Sequence, residues 1–135
     1  MTASVTTLRT DTARISLVRI DEKTEEHRAE VQVILQWEGA EYIGESAGDP
    51  AAGVRPRLVA AATLRAVESL DDFVFRLVDA STTRSGGSDI ALVVVSDPDS
   101  TRPLVGTAVV DDDNRQVAFA KATLDAVNRR IQHHP

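Results

Sequence analysis

Ala62-Thr63-Leu64-Arg65-Ala66-Val67 returns sixty residues later as Ala122-Thr123-Leu124-Asp125-Ala126-Val127. Working outward, Leu17-Val18 recurs as Leu77-Val78 at the same offset, and Ile43-Gly44 recurs as Val105-Gly106 at an offset of 62. Two small insertions in turns account for the drift. A period of this length is one supersecondary unit, and a single copy cannot bury the apolar face of its own helix. Two copies related by a pseudo-twofold axis are therefore expected to share one core.

Each copy reads as three strands followed by a helix. In the first, Ile15 and Leu17 alternate with Arg14, Ser16 and Arg19 from Ala13 to about Asp21, although Val18 and Ile20 make the second face partly apolar. The polar run from Glu22 to His27 reads as a turn. Val31, Val33, Leu35 and Trp37 then alternate with Glu30, Gln32, Ile34 and Gln36 in the clearest strand of the chain. Glu38-Gly39 reverses the chain into a short strand at Tyr42 to Ser46, and a helix runs from about Val54 to Leu70 with Pro56 in its first turn. The second copy places strands at Phe73 to Ala80, Ile90 to Val95 and Leu104 to Val110. Its helix follows Asp111-Asp112-Asp113, carboxylates suited to cap the positive end of a helix, and carries the apolar stripe Val117, Ala120, Leu124, Val127, Ile131. Ala60-Ala61-Ala62 permits close approach of a neighbouring backbone, between repeats or between subunits. The fold class expected is α+β, an internally duplicated βββα unit with two helices on antiparallel sheet, in one domain over residues 13–135. Repeat 1 spans about 13–70, repeat 2 about 73–131, and residues 1–12 form a frayed leader.

Composition narrows the function. With 42% hydrophobic and 27% charged residues, the 135-residue chain lies in the range of folded soluble domains. A net charge of −6 opposes the counterion release that drives nucleic-acid binding, and one Trp, one Tyr and three Phe leave few stacking platforms. The absence of Cys removes disulfides, Cys-ligated zinc and thiol catalysis from consideration. No signal-peptide pattern and no apolar run near the ~20 residues of a membrane span occur, so a cytoplasmic location is expected.

Thr83-Arg84-Ser85-Gly86-Gly87-Ser88-Asp89, Val105-Gly106-Thr107 and Leu124-Asp125-Ala126-Val127-Asn128-Arg129 together resemble the C-terminal regulatory domain of α-isopropylmalate synthase, shared with citramalate synthase. Gly48-Asp49-Pro50 falls where that family has a Gly-rich loop before its first helix, although Ala51-Ala52-Gly53 departs from the family's glycine order. The resemblance covers about residues 13–131. It implies a pair of βββα units, a homodimer, and a branched-chain amino acid bound near the Gly-rich loops as a feedback signal. No counterpart of the family's catalytic barrel is present, so a protein of this kind would act in trans.

Candidate sites follow from these turns. Asp89 could hold the ammonium of an amino-acid-like ligand while the N–H groups of Ser85-Gly86-Gly87-Ser88 hold its carboxylate; the same residues also suit a plain β-turn. Gly48, Asp49 and Gly53 could complete a pocket or simply connect strand to helix. Asp111-Asp112-Asp113 lacks the alternating spacing of a calcium loop. His27 lies in a charged turn and His133-His134 near the terminus, none placed as a general base. No nucleophile elbow, phosphate loop or dinucleotide fingerprint occurs, and no cofactor is implied. The expectation is a non-catalytic regulatory or small-molecule-binding homodimer. Alternatives are a protein-interaction scaffold without a small ligand, or a small-molecule enzyme using the same cleft.

Overall fold

The computed structural model describes residues 15–51 and 53–132. The frayed leader expected at residues 1–12, the start of the first strand at Ala13 and the histidines at 133 and 134 lie outside the described residues. Two three-stranded antiparallel sheets form, each a meander closed by a helix. The first unit comprises β1 (Ser16–Glu25), β2 (Arg28–Trp37), β3 (Ala40–Gly48) and α1 (Arg55–Glu68). The second comprises β4 (Arg76–Ser85), β5 (Ser88–Ser96), β6 (Leu104–Val109) and α2 (Arg115–Gln132). The α+β class and the duplication are those the repeat implies.

Several boundaries differ from the sequence reading, for physical reasons. β1 continues through the polar residues to Glu25, because they pair with β2 as far as Glu25–Arg28 and leave only Glu26-His27 for the turn. Register, not hydrophobicity, sets that strand's length. β4 starts at Arg76, since Phe73 to Phe75 belong to the connection, where the rings of Phe73 and Phe75 stack at 5.6 Å and the Phe75 amide donates to Glu68 Oε2 at 3.0 Å. The two-faced apolar character of β1 has its cause in a bulge. Pairing slips between Leu17 and Arg19, so Leu17 and then Ile20 pack on the core while Val18 is extruded. The second unit repeats the slip between Leu77 and Asp79, extruding Val78.

The helices lie between the sheets. Each touches its own sheet, the other helix and the first strand of the opposite sheet. Both helices are therefore buried round most of their circumference. In α1 the buried set includes Leu58, Val59, Ala62, Leu64, Ala66 and Val67, and in α2 Phe119, Ala122, Leu124, Ala126, Val127 and Ile131. Two buried hydroxyls are satisfied within their own helices by the same bond. Thr63 Oγ1 donates to Val59 O and Thr123 Oγ1 to Phe119 O, both at 2.7 Å. The Asp111-Asp112-Asp113 run stands before α2, but Asp111 Oδ1 accepts the Asp113 amide at 3.4 Å instead of capping a helix N–H.

The contact that brings each helix onto its sheet is backbone on backbone. A methyl group built on Gly44 of β3 would overlap Ala62 O and Ala66 N of α1, and one built on Gly106 of β6 would overlap Ala122 O and Ala126 N of α2. Ala62, at the end of the alanine-rich stretch, thus accepts a strand of its own unit, and α1 also packs on α2 and β4 of the other repeat, the seam between repeats that the sequence reading allowed. Gly44→Ala and Gly106→Ala should each cost about 3 kcal/mol, the upper end of core overpacking, because a helix backbone cannot yield as a side-chain tip can. Gly53→Ala, with open space around it, should stay within about 0.5 kcal/mol of the parent. Urea unfolding of the three variants checks the ranking, and equal midpoints would refute it.

Candidate functional site

The residues singled out by sequence fall into two groups. Gly48 ends β3, where a methyl group would stand 3.1 Å from Leu58 Cδ2. Asp49 Oδ1 accepts the Ala51 amide at 2.9 Å in an Asx turn, and Gly53 sits in the turn that enters α1. In the second group, Ser85 and Ser88 form the last rung of the β4–β5 hairpin. Gly86 and Gly87 have φ of 59° and 81°, the pair of positive values that a type I′ turn requires. Arg84 Nη1 donates to Asp89 Oδ1 at 2.9 Å, and its Nη2 reaches Gly87 O at 3.2 Å. The carboxylate expected to receive an ammonium is thus already matched by its cross-strand arginine. Among the described residues no hydrogen bond or ion pair joins residues 48–53 to residues 85–89, and neither cavity described below is lined by either group.

A cavity of about 430 Å³ opens instead on the first sheet. Acids Asp21, Glu22, Glu30 and Glu45 and bases Lys23, Arg28 and Arg65 line it. Most of these charges already have partners: Arg19 Nε meets Asp21 at 3.1 Å, Arg28 Nε meets Glu30 at 3.2 Å, Lys23 meets Glu25 at 3.5 Å, and Gln32 Nε2 donates to Glu45 at 2.8 Å. Arg65 differs. Among the described residues it enters no side-chain hydrogen bond or ion pair. Its counterpart in the repeat, Asp125, accepts the Thr107 amide at 3.0 Å and so closes the free edge of β6. A guanidinium has no acceptor to offer such an amide. Arg65 is the residue that sequence reasoning missed, and the signal was present: it is the one position in the repeated hexapeptide where a base replaces an acid.

The two sheets differ most on the faces turned away from the helices. On the first sheet the cross-strand rows there are Lys23–Glu30–Ala47, Asp21–Gln32–Glu45 and Arg19–Ile34–Ile43. The equivalent rows of the second are Thr83–Ile90–Val109, Ser81–Leu92–Thr107 and Asp79–Val94–Val105. Positions that carry Lys23, Glu30, Asp21, Gln32 and Glu45 in one copy thus carry Thr83, Ile90, Ser81, Leu92 and Thr107 in the other. Val105 and Val109 are 52% and 65% exposed.

A second cavity, about 90 Å³, lies at the end of the second unit among Phe73, Phe75, Asp97, Asp99 and Arg130. Arg130 Nε donates to Asp97 Oδ2 at 2.7 Å and Nη2 to Asp99 Oδ2 at 3.2 Å, tying the last turns of α2 to the β5–β6 turn. The hydrogen bond that Arg130 donates to Asp97 holds the Arg130 pKa above its ordinary value. The clamp is structural, since Asp97 also accepts the Asp99 amide at 3.0 Å. Among the described residues no group of three or more His, Cys, Asp or Glu is placed to hold a metal ion, and no helix is long and apolar enough to cross a membrane.

No protein-family model matches the chain, and no curated protein matches it. Replacing Asp97, whose side chain is only 4% exposed, by Asn removes a charge-assisted bond and should cost about 2 kcal/mol in urea unfolding. An unchanged midpoint would show that the clamp contributes nothing.

Proposed function

We propose that this protein is a non-catalytic regulatory domain that binds a small amino-acid-like molecule and works as a homodimer. The observation that carries the ligand class is the cavity on the first sheet, which offers both signs of charge and one arginine, Arg65, that has no side-chain partner among the described residues. A zwitterion needs both. A guanidinium presents a planar fork that takes a carboxylate through two parallel N–H bonds, while Glu45, held by the uncharged amide of Gln32, keeps its negative charge for an ammonium. The volume falls within the ~300–1,000 Å³ range common for small-molecule sites. The resemblance carried by residues 83–89 and 124–129 points to the same ligand class, although it points to the glycine turns and not to this cavity.

A second reading, an interaction module without a small ligand, is favoured by the apolar outer face of the second sheet. A thermal-shift panel of amino acids and 2-oxo acids separates the two. A ligand present at a hundredfold excess over its Kd should add about 2.7 kcal/mol of stability, read as a shift of several degrees. Arg65→Ala should abolish that shift, while Asp89→Ala preserves it. Loss in Asp89→Ala alone would return the site to the glycine turn. No shift across the panel would sink the ligand reading and leave the interaction module.

A further inference from the structure

The free edges of the two sheets are finished differently. In the first sheet Glu38 and Gly39 have φ of 50° and 82°, so a two-residue turn joins β2 to β3 with Trp37 and Ala40 as a hydrogen-bonded pair. Such pairs alternate along antiparallel strands, which makes Gln32–Glu45 a pair that exchanges no backbone bonds. Glu45 therefore turns its own N–H and C=O out of the sheet, along an edge that no other described strand covers. In the second sheet Val110 N donates to Asp89 O at 2.8 Å, and the same alternation turns the N–H of Thr107 out of the edge of β6. There the carboxylate of Asp125 accepts it at 3.0 Å.

Arg65 stands on α1 where Asp125 stands on α2, and Glu45 on β3 where Thr107 stands on β6. The glycine beside each fixes the alignment: Gly44 rests on Ala62 and Ala66 as Gly106 rests on Ala122 and Ala126. Exchanging the acid for a base changes two things at one place. The Glu45 amide has no helix carboxylate to receive it, and a guanidinium without a side-chain partner among the described residues takes that position. Glu45 and Arg65 both line the 430 Å³ cavity. Both groups are donors, so one carboxylate supplied from outside the chain satisfies both at once.

The other half of the same backbone rung selects the rest of the molecule. Glu45 presents its C=O in the same direction as its N–H, and its side chain adds a negative charge. A compound with an ammonium on the carbon next to its carboxylate returns both bonds, as a residue of an added strand would. A 2-oxo acid instead sets an oxygen against that carbonyl. An amine without a carboxylate leaves Arg65 unanswered.

We infer that the ligand is an α-amino acid held as a one-residue rung on the edge of β3, its carboxylate shared by the Glu45 amide and the Arg65 guanidinium and its ammonium on the Glu45 carbonyl. The inference rests on the reading of the first-sheet cavity as a small-molecule site and adds the class of molecule and the atoms that hold it.

Thermal shifts with the common L-α-amino acids, their methyl esters, their N-acetyl derivatives and the matching 2-oxo acids test it, together with amide hydrogen exchange read by NMR. At least one free amino acid should raise the midpoint and slow exchange at Glu45, while its ester, its N-acetyl derivative and its 2-oxo acid do neither. Arg65→Asp, which copies the second repeat, should abolish the shift and slow exchange at Glu45 with no ligand present. Should Arg65→Asp lose the parent's circular dichroism, Arg65→Ala replaces it, with loss of the shift as the expectation. A shift that persists in the ester, the N-acetyl derivative or the folded variant, that comes from a 2-oxo acid alone, or that leaves exchange at Glu45 unchanged overturns the rung and keeps a small-molecule site. No shift from any of these compounds overturns both.

Discussion

Everything in this molecule depends on one contact made twice: a glycine in the third strand of each unit lying directly on an alanine-lined helix backbone. Gly44 meets Ala62 and Ala66, and Gly106 meets Ala122 and Ala126. With no side chain between them, helix and strand approach closely enough for each helix to reach the opposite sheet as well. A helix shared between two sheets buries most of its surface, which lets a core built mainly of Val, Ala, Leu and Ile close with few aromatic side chains. The intrahelical bonds of Thr63 and Thr123 and the bulges at Val18 and Val78 recur with it. Close packing constrains these positions in both copies because neither copy can be altered there without moving a helix.

Where that constraint ends, the copies diverge. On the face of each sheet turned away from the helices, the rows Lys23–Glu30–Ala47 and Asp21–Gln32–Glu45 of the first unit stand where the second has Thr83–Ile90–Val109 and Ser81–Leu92–Thr107, while the third row is charged, aliphatic and aliphatic in both. Position 65 and its counterpart 125 show the same divergence on the helices. Asp125 serves the edge of β6, whereas Arg65 is left available beside a cavity. A duplicated scaffold can thus offer the edge of one copy to a solute and let the other close its own edge without disturbing the shared interior.

The fold was legible because its decisive constraint is written in small residues at a fixed period. The hexapeptide repeat located both helices, and Ile43-Gly44 with Val105-Gly106 located the strands they meet. Strand ends were less legible. Residues 22–25 are polar, yet they pair because the hairpin register carries them along, a non-local effect that periodicity does not record. The residues proposed as a site also have local structural partners. Glycine at positions 86 and 87 answers the backbone demand of a two-residue turn, and Asp89 is matched by Arg84 across the strand pair, a partner that only pairing register reveals. Arg65 and the outer faces became visible once the two copies were compared position by position for difference instead of likeness.

The account's central claim is that the first copy takes a solute at the place where the second closes itself. Backbone amide resonances recorded by two-dimensional NMR on addition of an amino acid that gives a thermal shift test it most directly. The ligand should move resonances of β1 to β3 and of residues around Arg65 and leave those of β4 to β6 in place. Perturbation of β6 around Thr107, or of residues 85–89 in place of those around Arg65, would contradict it.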